Sequence, residues 1–73
     1  MAISYKKLWK LLIDQNMNKS DLAKKAKMSP STVAKLGKNE PVSLDVLVRI
    51  CTVLHCDIGD VIEVVDLSNN NSI

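Results

Sequence analysis

Residues 18–38 read NKSDLAKKAKMSPSTVAKLGK, and the punctuation of this stretch decides the fold. Asn18 is a strong N-cap residue, and Asp21 three positions later answers it in a capping-box arrangement. A helix is expected from Lys19 to Ala26, burying Leu22, Ala23 and Ala26. Lys27, Met28 and Ser29 then make a three-residue turn. Ser29 caps the next helix and Pro30 takes its first position, where the missing N–H costs nothing. That helix is expected from Pro30 to about Lys38. At about 100° per residue its inner side carries Val33, Leu36 and Gly37. Ser31, Lys35 and Lys38 centre the other side, with Thr32 and Ala34 flanking, so the exposed surface is small, polar and cationic.

Two short helices joined by a three-residue turn make a helix-turn-helix. Ala23 falls where the two helices cross, and a larger side chain there would push them apart. Leu22, Ala26, Met28, Val33 and Leu36 supply the shared core. The second helix of such a pair presents a thin, hydrogen-bonding surface to a major groove about 12 Å wide.

Outward from the motif the same logic places three more helices. Ser4 is expected to cap a first helix over residues 5–15, with Leu8, Leu11 and Leu12 inward and Tyr5 and Trp9 at the edge. Lys6, Lys7, Lys10 and Asp14 take its opposite face, and Asn16 and Met17 break the pattern. After the loop Asn39–Val42, in which Asn39 suits a left-handed helix end, Ser43 caps a fourth helix. Asp45 lies near the positive end of that helix's dipole. Its inner stripe is expected to be Leu44, Leu47, Val48, Cys51 and Leu54, with Val46 and Val53 pointing away. Asp57 caps a short fifth helix bearing Ile58, Val61 and Ile62. The pattern fades from Val64, and residues 68–73 read as a polar tail on a single domain of residues 1–67. The fold class is therefore all-α, with five helices and the helix-turn-helix at the second and third.

Seventy-three residues allow one small core, since folding at this size hides only roughly 60% of the chain's surface. The net charge of +2 conceals a division. Residues 1–38 hold nine lysines against Asp14 and Asp21, a net +7; residues 39–73 hold Arg49 against six acids, a net −5. Such a split points to a polyanion-binding face. Aromatic residues are 3%, with no Phe, which disfavours sheet-type binders that stack bases on aromatic platforms. The N-terminus lacks an apolar signal core, because Lys6, Lys7 and Lys10 interrupt it, and no apolar run reaches membrane-spanning length. A soluble, reduced, intracellular protein is the expectation. Cys51, His55 and Cys56 fall short of a tetrahedral zinc set, and adjacent His55 and Cys56 do not converge easily with Cys51. No metal, no cofactor and no catalytic constellation is implied. The two cysteines read as core, and His55 as a helix-ending residue in a conformation His tolerates.

The stretch 18–38, followed by VSLDVLVRICTVLHCDIGDVIE, resembles the Cro/repressor-type helix-turn-helix family, also called XRE or lambda-repressor-like. It looks most like small stand-alone bacterial members whose ends read ICxxLxCxxGDxIE, here Ile50, Cys51, Leu54, Cys56, Gly59, Asp60, Ile62 and Glu63. The match spans about residues 5–65. The resemblance implies a cytoplasmic, nucleoid-associated regulator binding double-stranded operator DNA, often as a dimer. Carried onto this chain, base-reading positions are Pro30, Ser31, Thr32 and Lys35, and backbone-contact positions are Asn18, Lys19, Lys38 and Asn39. Two departures matter. Relatives usually carry Gly where this chain has Lys27, so a positive φ there would cost about 1 kcal/mol. Pro30 replaces an amide reader of some relatives and offers only apolar contact.

The expected function is a sequence-specific transcriptional regulator, a repressor, without an effector domain. A weak homodimer is expected through the C-terminal half, where Val46, Val53, Val61, Val64, Val65 and Leu67 add apolar surface. Two alternatives remain open. One is an antitoxin-like protein-interaction module on the same fold that does not read DNA. The other is a membrane-surface role, which would need a first helix that the core already uses.

Overall fold

The computed structural model describes residues 2–65. The chain runs β1 (Ile3–Ser4), α1 (Lys6–Asp14), α2 (Lys19–Lys25), α3 (Pro30–Gly37), α4 (Leu44–Leu54), a single 3-10 turn (Ile58–Asp60) and β2 (Glu63–Val64). β1 and β2 pair antiparallel, Ile3 opposite Val64 and Ser4 opposite Glu63. The Val65 amide donates to the Ala2 carbonyl at 3.0 Å and extends the ribbon by one bond.

The helix starts are made by local chemistry. The Asn18 side-chain oxygen accepts from the Asp21 amide at 2.8 Å, and the Asp21 carboxylate accepts from the Asn18 backbone amide at 3.2 Å, closing the capping box of α2. Ser29 and Ser43 accept from the Thr32 and Val46 amides at the starts of α3 and α4. The helix ends share one device. Asn16, Lys27, Asn39 and His55 take φ values of 54°, 56°, 57° and 57°. In each case the next amide turns back to a carbonyl five residues earlier: Met17 to Leu12, Met28 to Ala23, Glu40 to Lys35 and Cys56 to Cys51. This is the Schellman arrangement, which satisfies carbonyls the helix leaves open.

One core is shared by the four helices, with Val61 entering it after the 3-10 turn. Tyr5, Leu8 and Leu12 meet Leu22 and Ala26, Leu36, Leu47, Ile50 and Leu54, and Val61. Among the described residues no polar or charged residue is buried in it. Each fully buried Leu or Ile contributes roughly 1.5–3 kcal/mol, so this cluster is the main stabilising term.

Several expectations are corrected. The fifth helix is a 3-10 turn of three residues, after which Val61 drops into the core at 0% exposure and the chain straightens into β2. β1 was not expected, since two residues are too few to show an alternating pattern, and the β-branched run from Val61 to Leu67 was expected to pair as a strand with a second copy. The ribbon pairs the segment after Val61 within its own chain. Tyr5, expected at an edge, is wholly buried, because its phenol donates to the Glu40 carbonyl at 2.7 Å and so carries its own partner inward. Ser4 lies in β1, and its hydroxyl accepts from the Lys6 amide at 3.1 Å.

On α4 the inner face is turned from the expected one. Leu47, Ile50 and Leu54 are buried, Val46 and Val53 are half-buried against the core, and Leu44 and Val48 stand 64% and 49% exposed. The reason is composition: LDVLVRICTVL is apolar almost all round, so its period does not fix a phase and packing against α2 does. Gly37, expected on the inner side of α3, is exposed. Leu67 and the tail 68–73 lie outside the described residues.

Candidate nucleic-acid interface

The site is built on the start of α3. Ser29 holds that start with three contacts: the Thr32 amide at 3.3 Å, the Ser31 hydroxyl at 3.0 Å and the Thr32 hydroxyl at 3.1 Å. Pro30, Ser31 and Lys35 are exposed, while Thr32 is half-buried. Of the four base-reading candidates, three therefore share the exposed face and Thr32 sits at its margin with its hydroxyl turned toward the cap. The Lys35 ammonium has no hydrogen-bond or ion-pair partner among the described residues, so it stands as a free cation beside small groups.

The backbone-contact candidates flank this face at both ends of the motif. Asn18 and Asn39 each spend the side-chain oxygen internally, Asn18 on the Asp21 amide and Asn39 on the Tyr5 amide at 3.1 Å. Among the described residues their NH₂ groups have no partner, so each presents a fixed donor outward. The Lys19 ammonium sits over the Trp9 ring, 4.4 Å from its centroid. That cation–π contact restrains a long side chain otherwise free to sweep. Lys38, at the end of α3, is exposed.

Two positioning residues escaped the sequence. Tyr5 staples the loop after α3, taking the Asn39 side-chain oxygen on its amide and giving its hydroxyl to the Glu40 carbonyl. Burial raises its phenol above the ordinary value, against a smaller opposite push from a backbone bond at Val42, so the O–H stays a donor. Trp9 orients Lys19. Neither had a local signal, since the partners are 34, 35 and 10 residues away.

The cysteines belong to the end of α4. Their side chains are half-buried where the Cys56 amide returns to Cys51, the place where a Schellman turn puts its apolar contact. Burial pushes the Cys56 thiol up to about 11 and the Cys51 thiol up as well, and the Asp57 and Asp60 carboxylates act the same way. Thiols held protonated in this way are poor nucleophiles and poor ligands.

A capped, solvent-facing α3 crossing α2 at a fixed turn, with donors at both ends, defines the class: a helix-turn-helix domain. The chain belongs to the Cro/C1-type HTH DNA-binding domain family, whose model matches residues 7–66. It is similar to a solved transcriptional regulator, VanUg in its crystal form II, with 60% sequence identity, a TM-score of 0.83, and 85% of this chain and 83% of that one covered. No curated protein matches. The family is one of DNA-binding domains, which is not an enzyme class. Among the described residues no helix is long and apolar enough to cross a membrane.

Proposed function

We propose that the protein binds double-stranded operator DNA sequence-specifically and represses transcription by occupying its site. α3 lies in the major groove. Ser31 and Lys35 read base edges, Thr32 offers its methyl to a thymine methyl, and Pro30 makes apolar contact. Lysine favours guanine O6 and N7. Asn18, Lys19, Lys38 and Asn39 hold the phosphates on either side. The observation that carries this reading is the exposed face of α3, where Lys35 is unpaired among the described residues and Ser29 holds the helix start. A groove about 12 Å wide admits a helix only if its outer side chains are few and thin, and these are.

Lysine contacts to phosphate supply most of the affinity and no sequence information, while α3 supplies discrimination. The functional unit is the domain of residues 1–67, with 68–73 as its tail, acting in the bacterial cytoplasm as a weak dimer that tightens on DNA. Selection of bound sequences from random duplexes tests the reading: an enriched motif is expected, and its absence would favour the antitoxin-like interaction module. On the selected site Lys35→Ala is expected to cost roughly 1–3 kcal/mol and to relax preference at one base pair, whereas Lys38→Ala weakens specific and random DNA about equally. Equal losses for Lys35→Ala on both DNAs would make Lys35 a phosphate contact instead.

A further inference from the structure

The exposed side of α3 is short of hydrogen-bond acceptors. Its outward residues are Pro30, Ser31, Ala34 and Lys35, with Gly37 adding no side chain and Lys38 closing the helix. α3 contains no carboxylate and no carboxamide. The Ser31 and Thr32 hydroxyls both turn to Ser29 Oγ, at 3.0 and 3.1 Å, and that oxygen also accepts from the Thr32 amide. The amino groups of the major groove, adenine N6 and cytosine N4, need an acceptor to be read, in practice an amide or an acid. Lys35 is a donor and suits guanine O6 and N7. Pro30 and Ala34 are four residues apart and so are neighbours on the exposed side. Their carbons match the one apolar group that the major groove presents, the C5-methyl of a pyrimidine.

We propose that Pro30 and Ala34 read the C5-methyl group itself, so that this face accepts 5-methylcytosine where it accepts thymine, and occupancy of the operator responds to C5 methylation of cytosine. The site is the α3 face described above and the inference rests on the DNA reading; it adds which chemical group is recognised there. Thymine and 5-methylcytosine share the methyl and differ at position 4, a carbonyl in one and an amino group in the other. A side chain with a donor or an acceptor would separate them. Pro30 and Ala34 carry neither in their side chains, so the methyl is what they distinguish. Deoxyuridine and unmethylated cytosine both lack it and are disfavoured together. Lys35 follows Ala34 directly, which sets a guanine contact beside the methyl contact. Burying one methyl corresponds to about fourfold in affinity.

Fluorescence anisotropy at fixed salt, on the duplex selected from random DNA, tests the proposal. Each thymine of that duplex is replaced in turn by deoxyuridine, which removes the methyl and keeps O4 and the base pairing. At one or two positions the affinity is expected to fall about fourfold. At those positions a cytosine–guanine pair should bind as weakly as deoxyuridine–adenine, and 5-methylcytosine–guanine should recover the thymine level. Ala34→Gln places a carboxamide at an exposed helical position. It is expected to bring the thymine-to-deoxyuridine ratio toward one and to separate thymine from 5-methylcytosine. Lys38→Ala should weaken every duplex and leave that ratio unchanged, as loss of a phosphate contact does. Equal affinity for thymine and deoxyuridine at every position would overturn the proposal. So would equal affinity for cytosine and 5-methylcytosine at the sensitive positions, a selected site without thymine, or a wild-type ratio in folded Ala34→Gln. In each of these cases the selected duplex is still bound and the DNA reading stands. Failure to enrich any motif is a different result: it removes the DNA reading and this proposal with it.

Discussion

Lys27 occupies the most costly of the four left-handed positions. Asn16 and Asn39 are residue types that visit this conformation readily, and His55 does so more than most. A lysine there forces its Cβ toward the following carbonyl, at roughly 1–2 kcal/mol. Lys27→Gly is therefore expected to stabilise the domain by about 1 kcal/mol, read as a higher urea midpoint with an unchanged slope. The side chain is exposed, and the carbonyl that accepts from Arg49 is retained, so nothing in the single chain opposes the gain. A midpoint at or below wild type would mean that Lys27 makes a compensating contact. At this scale the sequence was readable where a residue type has a conformational preference, as at Asn39 and His55. It was readable at Lys27 only through resemblance to a family with Gly there. It was silent at Tyr5 and Trp9, whose partners are brought close by tertiary packing.

Elements were legible at their starts and much less so in their orientation. The capping box at Asn18, the Ser29–Pro30 start and the Ser43 cap are all encoded within four residues, and all three hold. The inner face of α4 was not encoded, because Leu44, Val48 and Val53 are interchangeable to a hydrophobic pattern and only contact with α2 separates them. The end of α4 yields a pH prediction. Both thiols titrate higher in the fold than in the open chain, Cys56 at about 11 against an ordinary 9.0. The unfolded chain then loses its protons first as pH rises, so stability is complete below about pH 9 and declines toward pH 11. Tyr5, also raised, adds to the fall in the same direction. The thermal midpoint of the wild type should drop through this window more steeply than that of Cys56→Ala. Parallel curves would remove the Cys51–Cys56 contact from the account.

The whole molecule is organised by its charge division, +7 over residues 1–38 and −5 over residues 39–73. The helix-turn-helix lies in the basic part, so DNA approach is favoured on that side and opposed on the other. This arrangement predicts how affinity responds to salt. If lysines of one copy neutralise about five phosphates, the logarithm of affinity should fall against the logarithm of salt with a slope of about −4 to −5. Two copies on a duplex carrying two sites should give a slope of about twice that for the complete complex. The acidic half repels the same backbone, so a slope steeper than the lysine count allows is not available to a single copy. Fluorescence anisotropy on a duplex with one site and on a duplex with two, each across a salt series, separates the cases. A slope near zero on both would reject a lysine-driven interface, and with it the major-groove placement of α3. The same slope on both duplexes would leave DNA binding intact and show that the second site recruits no second reader.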